Sequence, residues 1–215
     1  MLKTTIIDYG VGNLFSVSKA FEKATDSDIE ISSDESEIMK SDLLVLPGVG
    51  AFGKAMQQLE ARKLVEPIKK FAHSGKPIFG ICLGMQLLAT KSYEFGEHLG
   101  LNLIPGEVKK MKLLDNNQKR IKIPFIGWSK TIINHNNKEN IDFIRGSDNK
   151  SMYTVHSYQF FTDESSHELG CYSYGNTTIA SVVKNKNIFG VQFHPEKSGE
   201  SGLKLIKSTF QELTK

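Results

Sequence analysis

Two short runs of the chain are apolar without alternation once past their first residue. In "DLLVLPGVG" (Asp42–Gly50) the apolar stretch continues until Pro47, and "KPIFGIC" (Lys76–Cys82) does the same up to a glycine-flanked turn. A strand with one wet face would alternate apolar and polar residues. A run without alternation is buried on both faces, which demands a parallel sheet covered by helices on each side. The neighbouring segments supply such helices. "NLFSVSKAFEKA" (Asn13–Ala24) places Leu14, Val17, Ala20, Phe21 and Ala24 at helical spacing behind an Asn13 N-cap. A long helical segment is predicted from Phe52 to Ala72, interrupted at Pro67, and another follows Cys82 in "LGMQLLATKS". With "TTIID" (Thr4–Asp8) and "DIEIS" (Asp28–Ser32) as further strands, the first half reads β-α-β-α-β-α.

After Glu97 the pattern changes to strand-like runs such as "RIKIPFIGWSKTII", "SMYTVHSYQFF", "TTIASVVKN" and "IFGVQFHPE". Asn185–Asn187 and Gly175–Asn176 have hairpin-tip chemistry, so this half is expected to be largely antiparallel. A closing helix puts Leu203, Ile206, Phe210 and Leu213 on one face. Neither a repeat nor a low-complexity linker interrupts the 215 residues, and the reading is a single domain over 1–215.

Composition narrows the functional classes. The 27 basic and 24 acidic residues are interspersed, which argues against a nucleic-acid-binding stripe. No apolar run approaches the about 18 residues of a membrane span. Two cysteines are too few for a disulfide framework or a zinc cluster, and a reduced cytoplasm is the expected compartment. No His and carboxylate spacing suggests a metal, and no cofactor is expected. "GVGN" lacks the third glycine of a dinucleotide loop.

The chemistry concentrates in "GICLGMQ" (Gly80–Gln86) and "GVQFHPE" (Gly190–Glu196). Gly80-x-Cys82-x-Gly84 has the form of a nucleophile elbow, a sharp strand-to-helix turn that exposes a nucleophile beside free backbone N–H groups. Taken alone, Cys82 reads more readily as a packed core thiol than as a nucleophile. A thiol nucleophile needs a base and the base an orienter; His194 and Glu196, two apart at the end of an apolar strand, supply both. Taken alone, that pair reads as a surface histidine beside a turn proline. Cys171 has neither elbow nor basic neighbour, and packing is its default role.

Together the two motifs resemble those of the class I, triad-type glutamine amidotransferases. That resemblance implies a flavodoxin-like three-layer α/β sandwich, with Cys82, His194 and Glu196 as the triad that releases ammonia from L-glutamine through a thioester. "DYGVGNLFSV", "LPGVGAF", "VHSY" and "HPEKS" narrow it: they are similar to the glutaminase subunit of imidazole glycerol phosphate synthase, over nearly the whole chain. The resemblance implies an oxyanion hole from Gly48, Val49, Gly50 and Leu83, and glutamine binding by Gln86, Glu94, Ser157 and Tyr158. It also implies an interface and ammonia passage near Asn13, Trp128, Tyr153 and Lys197. The partner is then a (β/α)8-barrel cyclase subunit that makes imidazole glycerol phosphate and AICAR in histidine biosynthesis. The family's Pro-His-x-Gly-Trp-Asn segment departs here to "IPFIGWS", with Phe125 and Ser129 at the changed positions. That departure leaves open a paralogous branch that supplies ammonia for amidation of a nucleotide-linked or surface-polysaccharide sugar. A non-catalytic binding module with the same fold is the remaining alternative, against which the intact Cys-His-Glu set argues.

Overall fold

The computed structural model describes residues 1–111, 122–135, 141–175 and 177–215. The first half runs β1 (Lys3–Ile7), α1 (Leu14–Ala24), β2 (Asp28–Ser32), α2 (Glu35–Lys40), β3 (Leu43–Leu46), α3 (Phe52–Ala61), α4 (Val65–His73), β4 (Ile78–Ile81) and α5 (Leu83–Leu87). The second half contributes β5 (Lys91–Ser92), β6 (His98–Leu99), β7 (Gly106–Lys110), β8 (Phe125–Ile133), β9 (Lys150–His156) and β10 (Tyr158–Thr162). It closes with β11 (Glu168–Tyr174), β12 (Thr177–Asn185), β13 (Ile188–Val191) and α6 (Gly199–Leu213).

A nine-stranded sheet has the order β2-β1-β3-β4-β13-β12-β11-β8-β9, and β10-β7-β5-β6 form a smaller one. From β2 to β13 the neighbours are parallel; from β13 to β9 they are antiparallel. The fully apolar strands follow from this placement. Leu44 and Leu46 face α3 and α4 (Phe52, Leu59, Ile68, Phe71), while Leu43 and Val45 face α1 and α6 (Phe21, Leu205, Ile206). Every position of β3 and β4 is buried, so the alternation is between two cores rather than between core and water. This is the layered α/β arrangement expected from the first half of the sequence.

Local departures have local causes. The expected helix over 52–72 is two helices, parted where Lys63 takes a left-handed φ of 57°. Pro67 lies after the break, in the first turn of α4, where a missing N–H leaves no helical bond unmade. Helix α2 escapes periodicity because only Ile38 is buried; it is set by Asp34, whose Oδ1 accepts from the Ser36 and Glu37 N–H groups at 2.7 and 3.3 Å. The run "SMYTVHSYQFF" divides at Ser157, since β9 pairs with β8 in the large sheet and β10 with β7 in the small one. The tip at Asn185–Asn187 joins β12 to β13, with Lys186 at φ 53°. Gly175 follows β11, while Asn176, Arg120 and Ile121 lie outside the described residues. No helix among the described residues is long and apolar enough to cross a membrane.

The start of α6 is seated tightly on the turn that follows β13. A Cβ added at Gly202 would lie 1.9 Å from the Pro195 carbonyl oxygen, a backbone atom that cannot swing aside. Gly202→Ala should therefore lower stability by about 2 kcal/mol despite alanine's better helix propensity, seen as a lower urea midpoint at unchanged m-value.

Candidate active site

Strand β4 runs directly beside β13, with Gly190 opposite Gly80 and Val191 opposite Ile81. The Cys82 N–H extends this pairing to the Val191 carbonyl at 2.8 Å. Cys82 then turns with φ 54° and ψ −110°, a conformation strained for a residue with a side chain, and α5 begins at Leu83. The flanking glycines make the turn possible. A Cβ on Gly84 would sit 1.7 Å from the Leu46 carbonyl oxygen, and one on Gly80 would sit 2.8 Å from the Met85 nitrogen.

At the end of β13 the chain carries His194 to the same edge. Glu196 arrives not by strand alternation, as its spacing suggests, but through a 3-10 turn over Pro195–Lys197. Its Oε1 lies 2.8 Å from His194 Nδ1, so Nδ1–H donates to the carboxylate and Nε2 is left toward the Cys82 side. Both His194 and Glu196 side chains are about 3% exposed. Burial alone would lower the His194 pKa, but the Cys82 sulfur and the Glu196 carboxylate outweigh it and raise it to about 10. Ser198 ties this turn to β9: its Oγ accepts from the Tyr153 N–H at 2.9 Å and donates to the His194 carbonyl at 2.6 Å.

A cavity of about 230 Å³ opens over Cys82 between the two sheets, a size for one small polar molecule. Val49, Gly50, Leu83, Gln86, Glu94, Ser157, Tyr158 and His194 all line it. Gln86, on α5, donates from Nε2 to the Tyr158 carbonyl at 3.0 Å. Glu94 Oε2 accepts from the Phe52 N–H at 2.6 Å, which caps α3. Burial raises the Glu94 pKa, opposed by that N–H and by the nearby His98. The opposite end of the "PGVG" segment is also held, since the buried Tyr9 hydroxyl donates to the Pro47 carbonyl at 2.6 Å. Gly48 packs so closely on this hydroxyl that an added Cβ would lie 2.6 Å from it, and Gly50 has φ 96°.

Asn13 and Lys197 meet His194 and Glu196 around a small void on the other side of the triad. Asn13 also caps α1, its Oδ1 accepting from the Ser16 N–H at 3.2 Å. Trp128, 58% exposed, stands edge-on to Tyr153 at 5.8 Å, and the Lys197 ammonium lies 5.8 Å from the Tyr153 ring centre. The two departing residues of "IPFIGWS" do not share this exposed face. Phe125 stacks inward on Tyr174 at 4.1 Å, and Ser129 is buried against Thr154 with the hydroxyls 3.0 Å apart. Gln192, not singled out in the sequence, is wholly buried with its Nε2 3.8 Å from Cys82 Sγ. Its place two residues before His194 was the available signal.

A second buried histidine stays neutral. His156 donates from Nδ1 to the Tyr158 carbonyl at 2.7 Å, and its Nε2 accepts from the Tyr172 hydroxyl. Burial, with the His194 charge adding to it, lowers the His156 pKa to about 4.

The site thus has the parts of a thiol acyl-transfer centre: a sulfur on a strained elbow, an imidazole and a buried orienting carboxylate. Residues 5–213 match the family "Glutamine amidotransferase class-I", and the chain belongs to that family of enzymes. Solved structures agree at the level of fold. PurLQS from Thermotoga maritima superimposes with a TM-score of 0.69 at 22% identity over 99% of both chains. A glutamine amidotransferase from the same organism gives 0.60 at 17%, covering 99% of this chain and 84% of that one. Curated relatives are much nearer in sequence. "Imidazole glycerol phosphate synthase subunit HisH 1" of Legionella pneumophila (strain Lens) is 44% identical over 98% of this chain and 100% of its own. The HisH subunit of Lactococcus lactis is 44% identical over 99% and 100%, and that of Aquifex aeolicus 42% over 96% and 95%. Within its class, the chain is a glutaminase subunit of the HisH type.

The neutral state of His156 has a measurable consequence. Its pKa falls from 6.5 in the unfolded chain to about 4 in the fold, so the unfolded chain takes up the proton first on acidification. Its stabilising share is intact above pH 6.5 and is lost as pH falls toward 4, by up to about 3 kcal/mol. The stability advantage of the parent over His156→Gln, followed by urea unfolding, should shrink by that amount between pH 7 and 4.

Proposed function

We propose that residues 1–215 form one cytoplasmic glutaminase domain in which Cys82 is the nucleophile, His194 the general base and acid, and Glu196 its orienter. The observation that carries this reading is the hydrogen bond from buried His194 to buried Glu196 beside the elbow sulfur. His194, whose proton affinity is raised well above neutral, takes the thiol proton on Nε2, and the sulfur then attacks the side-chain amide carbon of glutamine as the thiolate. The tetrahedral oxyanion is held by the Leu83 N–H, at the first position of α5, and by a peptide N–H of Gly48–Val49–Gly50. His194 then protonates the departing nitrogen, which leaves as ammonia. It next takes a proton from the water that hydrolyses the thioester to glutamate and free Cys82. Gln86, Ser157 and Tyr158 hold the substrate's amino-acid end, and the Glu94 carboxylate faces its ammonium.

The partner in this reading is a (β/α)8-barrel cyclase of the histidine pathway, docked on the exposed Trp128–Tyr153–Lys197 face. The inward orientation of Phe125 and Ser129 supports it: the two substitutions that pointed to sugar amidation alter the interior side of β8 and leave Trp128 outward. Identity of 42–44% to HisH subunits over nearly the full length favours the histidine branch as well.

Cys82→Ala should abolish glutamine-dependent synthesis by the assembled complex while synthesis from free ammonium salts continues. Equal loss with both nitrogen sources in an intact complex would sink the assignment. Trp128→Ala should weaken the complex about tenfold or more, as removal of a central aromatic anchor does. Titration calorimetry with the barrel subunit reads this directly.

A further inference from the structure

The sulfur of Cys82 sits between two groups of opposite use. The Val155 carbonyl lies 3.8 Å away and accepts from a thiol S–H. Toward a thiolate, which can only accept, it offers nothing. The Gln192 amide lies 3.8 Å from the same sulfur and presents N–H. Its orientation follows from its neighbours. The Tyr158 carbonyl can only accept, so Gln86 must turn its nitrogen inward, where Nε2 donates both to that carbonyl at 3.0 Å and to Gln192 Oε1 at 2.8 Å. Gln192 then has its oxygen engaged, and its nitrogen is directed at the sulfur. Gln192 is fully buried at 0% exposure, and its backbone N–H is fixed to the Ser181 carbonyl at 2.9 Å, so the amide stays where it is placed. Gln86 lines the cavity, so Gln192 links a cavity-lining side chain to the sulfur.

We propose that Gln192 is a positioning residue that stabilises Cys82 as the thiolate through the N–H it directs at the sulfur. This rests on the glutaminase reading above for the identity of the substrate, but not for the Gln192–sulfur contact. Transfer of the thiol proton to His194 Nε2 removes the S–H donor to Val155 and leaves an anion that receives the Gln192 N–H. A charge-assisted bond of this kind strengthens in the buried site.

The test uses the chain assembled with its barrel partner and the variants Gln192→Glu and Gln192→Met. Gln192→Glu keeps the acceptor toward Gln86 and replaces the donor at the sulfur with a carboxylate oxygen. Alkylation of Cys82 by iodoacetamide at pH 7.5, followed on its peptide by mass spectrometry, should slow about tenfold or more. The Cys171 peptide serves as the internal reference. The kcat for glutamine should fall by a similar factor, with KM within about threefold. Gln192→Met, which removes the donor without adding charge, should show a smaller loss of the same kind and covers the case in which the glutamate variant does not fold. Unchanged Cys82 alkylation in either folded variant would overturn the proposal and leave Gln192 a packing residue. A parent complex that alkylates as described but leaves glutamine intact would instead overturn the glutaminase reading alone.

Discussion

The parallel pairing of β4 with β13 is the constraint on which the site depends. These strands are separated by more than a hundred residues of chain, yet they lie in register from Ile78 and Ile188 to Ile81 and Val191. The 2.8 Å bond from Cys82 N–H to the Val191 carbonyl is the last rung of that ladder. Beyond it both chains leave the sheet at once, one into the strained elbow and the other toward His194. Sulfur and imidazole therefore meet because two strand ends are level. A shift of one residue would turn the side chains at the ends of both strands to the wrong faces. The fixed elements around them, Gly84 against Leu46 and Gly202 against Pro195, hold the two exits in place.

The small sheet completes what the large one begins. Ser157 stands where the chain leaves β9 for β10, and the cavity lies along that crossing. The interior of the large sheet thus supplies reactive groups, and the edge of the small one supplies walls. His156 is the hinge between them, neutral and bonded to both Tyr158 and Tyr172. Its low affinity for protons suits its neighbourhood, since a second imidazolium beside His194 would carry unbalanced charge into a buried region.

Much of this was legible in the residues. Unbroken apolar runs required a two-sided sheet, and β3 and β4 are buried at every position. The elbow glycines and the His-Pro-Glu ending were visible as motifs, because close backbone approach and tautomer control each restrict residue type. What periodicity could not give was contact across the chain. Helix α2 buries one side chain and so has no stripe to read. Glu196 reaches His194 by a 3-10 turn, which two-residue alternation does not describe. Gln192 is not marked out by its sequence, since its contacts with Cys82 and Gln86 exist only in the fold. The inward direction of Phe125 and Ser129 likewise depends on which face of β8 the fold buries.

The "PGVG" segment is held at both ends, by Tyr9 on the Pro47 carbonyl and by Glu94 on the Phe52 N–H. A strap with fixed ends is held against sliding or swinging outward as a lid does. One of its two anchors is the carboxylate proposed to meet the substrate's ammonium. In that reading the strap and the ligand share the oxygen atoms of one carboxylate, so the same side chain serves both as an anchor of the loop and as a wall of the cavity.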